Sequence, residues 1–198
     1  MKHKKIFSKD RLLFLIVFVV FVVAAAVFFV LQKKPFVEAA WFNDQWGYRQ
    51  RVDVTNAGTA QTDFQVAITL NTSALVTAGK MQSDCDDIRV TDVGGKVLSH
   101  WIETGTNACN TTTTAIWTKV PSISTTGTTV FLYYGNPSAV STQNGDNVFL
   151  FFDDFSGSNI DTTKWTITDS TGWSVSGGEL TGTNTTGRIQ TIQTFTTP

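Results

Sequence analysis

Two neighbouring carboxylates, Asp153 and Asp154, sit inside the aromatic run "FLFFDDF" at 149–155. Paired carboxylates serve as acid and nucleophile in glycoside hydrolysis, or as oxygen ligands to calcium. Retaining hydrolysis needs the two groups about 5–5.5 Å apart, whereas adjacent residues of a strand point to opposite faces. Asp153 and Asp154 are therefore not an acid and nucleophile pair. The glutamates Glu38, Glu103 and Glu179 are isolated, so no strand carries alternating acidic residues that could pair as acid and nucleophile. His100 stands beside Trp101 in an alternating segment, and no Gly-x-Ser-x-Gly elbow accompanies it, which predicts a strand histidine rather than a triad member. Asp84, Asp86 and Asp87 lack the spaced Asp, Gly and Glu of a helix-loop-helix calcium site and read as a solvated loop. No catalytic residue and no cofactor-binding residue is expected.

Cys85 and Cys109 are the only cysteines. In an oxidising compartment such a pair reads as a disulfide. A zinc site would need further ligands, and the chain offers only His3 and His100.

The compartment is set by the first forty residues. The stretch at 12–31, "LLFLIVFVVFVVAAAVFFVL", holds twenty residues without a polar side chain, and as a helix it spans about 30 Å, the hydrocarbon thickness of a bilayer. Lys2, Lys4, Lys5, Lys9 and Arg11 precede it and only Lys33 and Lys34 follow before Glu38, so the positive-inside bias keeps the N-terminus cytoplasmic and exports the rest. Its length favours an uncleaved anchor, although "VEAAW" at 37–41 offers the small residues of a cleavage site. The formal net charge of -1 conceals +5 over residues 1–40 and -6 beyond them. An acidic exported part without basic patches excludes nucleic acid as a partner.

Beyond residue 41 the dominant pattern has period two. Strands are predicted at 48–56, 63–70, 87–92, 97–103, 114–120 and 128–135, with the first two as antiparallel neighbours and a tight "VGGK" turn after the third. A short helix is expected within 72–81, starting from an Asn or Thr cap. In "FLYYGNP" at 131–137, Phe131 and Tyr133 would face one side and Leu132 and Tyr134 the other, as structural aromatics of a doubly buried strand, before Gly135 and Pro137 end it. The expected fold class is all-β, an antiparallel β-sandwich preceded by one transmembrane helix.

The motifs "WGYRQRVDVTN", "DIRVTD", "HWIE", "IWTKVP" and "FLYYGNPSA", in this order, resemble domain of unknown function family 2341 of exported surface proteins, over about 41–147. The cysteine contexts "DCDDIR" and "ACN" resemble a variant within it. The resemblance implies fold and context and transfers no catalytic residue. Residues 151–188 resemble the opening of a concanavalin A-like, laminin-G-type jelly roll, with a first strand and turn at "DDFSGS" and a hairpin at "WSVSGGEL"; the resemblance implies a structural calcium near that first strand, with Asp153 and Asp154 as its candidate ligands, and no other cofactor. The expected order is a cytoplasmic tail at 1–11, the membrane helix at 12–31, a spacer at 32–40, a sandwich at 41–147 ending in a linker at 136–147, and a partial jelly roll at 148–198. A jelly roll needs about eight strands, so this last piece is expected to be truncated and either poorly packed or docked on the sandwich.

The functional expectation is a membrane-anchored or exported surface protein, not an enzyme, held by the lipid bilayer and binding glycans or other surface material. Two other readings stand beside it. One is the N-terminal fragment of an extracellular glycan hydrolase with its catalytic residues downstream. The other is a membrane component of an energy-transducing transport system, which would need several membrane helices where one is found.

Overall fold

The computed structural model describes Leu13 and residues 18–23, 41–169, 171–183 and 186–195. The expected tail, membrane segment and spacer lie outside these residues, except for Leu13 and residues 18–23, which are helical. Among the described residues no helix is long and apolar enough to cross a membrane. The chain divides into two units, Met1–Glu38 and Ala39–Pro198, and the strands belong to the second.

Alternation and turn residues build seven strands from Tyr48 to Tyr134: β1 (Tyr48–Val54), β2 (Gln61–Leu70), β3 (Arg89–Thr91), β4 (Val97–Leu98), β5 (His100–Ile102), β6 (Thr114–Ile123) and β7 (Thr128–Tyr134). Helix α1 (Thr72–Thr77) starts where expected, because Asn71 Oδ1 accepts the Ala74 amide at 3.0 Å and satisfies one of the free first-turn donors. One sheet runs β1-β7-β3-β4 and the other β2-β6-β5, all neighbours antiparallel. Between them lies one core, to which the first sheet contributes Val90, Leu98, Val130, Leu132 and Tyr134 and the second Ile68, Ile102, Ile116, Val120 and Ile123. The sandwich is the expected architecture.

Its wiring differs in three places. β1 and β2 are not neighbours, since β1 pairs with β7 and β2 with β6. Their short connection crosses from one sheet to the other, which lets each strand present its apolar side to the same core. The single strand expected at 97–103 is split, with β4 in the first sheet and β5 in the second. Ser99 at the break passes the chain across the edge of the sandwich, the way strands turn corners between packed sheets. Phe64 is 48% exposed instead of buried; Asp63 before it has a left-handed φ of 50° that interrupts the extended alternation.

β7 is buried on both faces, as its aromatics suggested. Leu132 and Tyr134 enter the inter-sheet core, while Phe131 and Tyr133 meet Trp46 and Phe42 outside the sheet. Trp46 Nε1 donates to the Asp87 carbonyl at 2.9 Å, and the Arg89 guanidinium lies 5.3 Å from the Trp46 ring. The segment read as a linker is pinned here. Arg89 Nη2 donates to the Val140 carbonyl at 2.7 Å, and Gln82 Nε2 donates to the carbonyls of Asn136 and Ala139 at 2.7 and 3.1 Å. Buried donors need acceptors, and this strap supplies them from its backbone.

Asp87, fully buried, fixes the same corner: Oδ1 accepts the Gln82 amide at 3.2 Å and Oδ2 the Gly135 amide at 2.6 Å. Asp87→Asn would set an NH₂ group against one of those two amides, leaving buried donors facing each other. It should lower the unfolding free energy by about 1–3 kcal/mol, read from denaturant midpoints; an unshifted midpoint would show that the carboxylate does not hold the corner.

After the strap come helix α2 (Gly145–Val148) and four short strands, β8 (Trp165–Ile167), β9 (Trp173–Ser176), β10 (Glu179–Gly182) and β11 (Ile189–Thr191). The expected hairpin forms as β9–β10 and turns through Gly177 and Gly178, at φ 64° and 83°, a conformation that favours glycine. β8 pairs with β11 around it. The first strand expected within "DDFSGS" at 153–158 is not formed, nor do residues 149–152 before it make one. The aromatic side chains of this stretch serve instead as packing studs, with Phe151 edge-on to Trp165 at 5.1 Å and Phe155 stacked on it at 5.8 Å. The piece after 148 docks on the sandwich through Phe149 and Phe152, whose rings meet Trp101 and Trp117.

Candidate functional site

Along β6 the side chains of Ile116, Thr118 and Val120 are buried, while Ala115, Trp117 and Lys119 lie on the outer face. β5 repeats this pattern with His100 and Ile102 inward and Trp101 outward, directly opposite Trp117 in the ladder. Two tryptophans thus share the outer face of the second sheet. Phe149 lies edge-on to both, at 5.9 Å from Trp101 and 5.5 Å from Trp117, and Phe152 meets Trp101 at 4.9 Å. The Phe152 ring rests on Gly145, where any Cβ would collide with it. An aromatic hollow of 410 Å³ runs from these residues to Phe155 and Trp165.

Beside it, and sharing Trp101, Glu103 and Phe152, opens a polar cleft of 560 Å³. Its walls come from distant parts of the chain: Asp84 from the loop before β3, Glu103 and Thr104 after β5, Ala108 and Cys109 before β6, Gln143 to Asp146 from the strap and α2, and Asp154 and Lys164 from the docked piece. Gln143 Oε1 accepts the Ile102 amide at 3.2 Å and the Asn144 amide donates to the His100 carbonyl at 2.9 Å, so the strap is fixed along the edge of β5. Both Glu103 oxygens are engaged, one by Trp117 Nε1 at 2.8 Å and one by Asn107 Nδ2 at 2.9 Å. Lys164 Nζ pairs with Asp146 at 2.9 Å and also donates to the Phe152 carbonyl at 2.8 Å. An apolar ring wall next to a row of fixed hydrogen-bonding groups suits a polyhydroxylated ligand, which offers apolar C–H faces and polar edges at once.

The residues singled out from sequence take other places. Asp153 uses both oxygens within the fold, accepting the Phe155 amide at 2.9 Å and Trp165 Nε1 at 2.7 Å; Asp154 Oδ1 accepts the Ser156 amide at 3.1 Å and lines the cleft. Among the described residues no three His, Cys, Asp or Glu side chains gather closely enough to hold a metal ion. The acidic loop is divided: Asp87 turns into the core while Asp84 reaches the cleft rim. His100 is buried on the inner face of β5, and that burial, aided by the charge of Arg89, pushes its pKa down to about 4. Cys85 and Cys109 form the expected disulfide, with Cα atoms 5.9 Å apart. Cys85 is core and Cys109 is cleft wall, so the bridge joins the rim to the interior.

Trp101 and Trp117 were legible only as strand residues. A tryptophan on the polar side of an alternating strand is the signal that points to the site, since an outward indole needs something to cover it. The cleft itself has no local signature, because its walls span residues 84–164.

No curated protein and no solved structure matches the chain, and the resemblance of 151–188 to a concanavalin A-like jelly roll has no counterpart among the matches. The model of a family described as a domain of unknown function, DUF2341, matches residues 84–168. That stretch starts later than the motifs suggested and ends later too, running from the loop before β3 through β8, so the region similar to this family contains every residue lining the cleft.

Proposed function

We propose that the chain is a non-catalytic surface protein whose sandwich binds glycan chains in the cleft beside Trp101. The observation that carries this reading is the 560 Å³ cleft, with the half-buried Trp101 and Phe152 on one side and Glu103, Gln143, Asn144 and Asp154 around it. Sugar rings stack their C–H faces on indoles and donate hydroxyls to carboxylates and amides, and the residues lining this cleft include both kinds of group. Export and anchoring through residues 12–31 are supported by the basic N-terminal flank and by the disulfide, a bond at home in oxidising compartments.

The test is affinity electrophoresis of the exported part in gels containing soluble glycans, followed by calorimetry with oligomers of any polymer that retards it. Trp101→Ala should weaken binding about tenfold, and Trp101→Phe should recover part of that loss. Circular dichroism of each variant checks that the sandwich is intact. Folded Trp101→Ala that binds as tightly as the parent would remove the cleft from consideration, and absence of retardation by every glycan would overturn the reading.

A further inference from the structure

The charges in the cleft are not balanced. It is lined by four carboxylates, Asp84, Glu103, Asp146 and Asp154, and by one cation, Lys164. The Lys164–Asp146 pair is closed on itself at 2.9 Å. The other three carboxylates are held by neutral donors: Asp84 by the Asp86 amide at 3.2 Å, Glu103 by Trp117 Nε1 and Asn107 Nδ2, and Asp154 by the Ser156 amide. A neutral N–H orients a carboxylate without cancelling its charge. Three carboxylates are thus held around a walled space that Trp101 also lines, and low-dielectric walls concentrate their field on whatever enters.

We propose that this cleft selects its saccharide by charge, preferring amino sugars that carry free ammonium groups over neutral sugars and rejecting uronates and sulfated chains. The inference rests on the saccharide reading of the cleft and names its ligand class. An ammonium donates up to three hydrogen bonds, and each carboxylate lining the cleft is an acceptor for one. Trp101 adds to the preference, because an indole face attracts cations as well as C–H groups. A uronate carboxylate entering the same space would lose water and meet only like charge, a repulsive form of selection.

Three oligomers of one length and linkage separate the terms: β-1,4-linked glucosamine, glucose and glucuronate, titrated into the exported part at a pH that keeps the amine protonated and the cleft carboxylates ionised. At low salt the glucosamine oligomer should bind about tenfold more tightly than the glucose oligomer, and the glucuronate oligomer should bind least. Raising the salt to about 0.5 M should narrow the gap, since the screening length falls well below 10 Å. In the triple variant Asp84→Asn, Glu103→Gln and Asp154→Asn, the ratio of glucosamine to glucose affinity should fall toward one, with circular dichroism confirming the fold. Equal affinities for all three oligomers, or tightest binding of the glucuronate, would overturn charge selection and leave the saccharide reading standing. A preference that survives in the triple variant would also overturn it, assigning the effect to the general acidity of the exported surface. Failure of all three oligomers to bind folded protein would reject the saccharide reading, and charge selection with it.

Discussion

Replacing Cys85 and Cys109 together by alanine should lower the unfolding free energy of the β-rich unit by about 2–5 kcal/mol, with the chain-entropy value near 3 kcal/mol for a loop of this size. The bridge closes a sequence separation of 24 residues, within which β3, β4 and β5 form and the chain passes from one sheet to the other. A crossing of this kind gains little from local hydrogen bonding, because β4 has two residues and β5 three. In the unfolded chain, cutting the bridge releases the whole segment, so the native state must recover that ordering entropy from burial alone. The folded side of the balance loses as well: Cys85 is 1% exposed within the inter-sheet core, and removal of its sulfur leaves a gap beside Met81, 3.8 Å away. Guanidinium unfolding of the double variant, beside the parent with and without reductant, reads the effect. The reduced parent should have a midpoint below that of the oxidised parent, and the variant a lower one still, because only the variant also loses the buried sulfur. Coincident midpoints for all three would show that the bridge contributes nothing. Position supplies a second readout. Cys109 and Ala108 line the cleft and Asp84 is next to Cys85, so the glycan binding proposed for that cleft should weaken on reduction even at temperatures where the sandwich persists.

How much of this fold the residues disclose by themselves depends on the range of the forces involved. The strand segments were visible because side-chain alternation is local: Val52 and Val54, Ile116 to Val120 and Phe131 to Tyr134 carry their burial pattern in consecutive positions. The Asn71 cap was visible because its acceptor lies three residues from its donor. Sheet membership was not, since an alternating strand has the same period whichever neighbour it pairs with, and β1 and β2 joined by a short connection read as a hairpin until their partners β7 and β6 are known. The split at Ser99 is silent for the same reason: Leu98, His100 and Ile102 remain buried and alternate straight through the change of sheet.

The candidate site was still less legible. Its charged groups read separately, Asp84 as part of a solvated loop, Glu103 as an isolated glutamate and Asp154 as half of a calcium pair. Their common feature, fixation by neutral donors around one cleft, belongs to the fold. The run at 149–155 shows the limit clearly. It has the composition of a strand, and the structure uses it as irregular chain whose rings fill spaces between the sandwich and the later hairpins. Ring burial won over strand pairing there, because each ring has an aromatic partner already in place.

His100 supplies the acid sensitivity expected of this fold. It is 3% exposed on the inner face of β5, and the same desolvation that makes it a core residue disfavours its charged form, with Arg89 adding repulsion. The unfolded chain takes up a proton on this imidazole near pH 6.5, whereas the folded chain does so only near pH 4. Between those values the unfolded state binds more protons, so stability falls as the pH is lowered. The contribution of His100 is intact above about pH 6.5 and declines by up to about 1.4 kcal/mol per unit below it, levelling off at a loss of about 3 kcal/mol once the folded form also protonates. Carboxylates elsewhere add their own acid dependence, which a difference measurement removes. In His100→Gln the side chain stays polar and of similar size but does not titrate, and its stability relative to the parent is the quantity to follow. Denaturant unfolding at half-unit steps should show the parent losing ground to the variant steadily between pH 6.5 and 4, and running parallel to it outside that window. Two curves parallel throughout would mean that the imidazole already carries its proton in the folded state or never meets the interior, and would overturn the assignment of His100 as a neutral core residue.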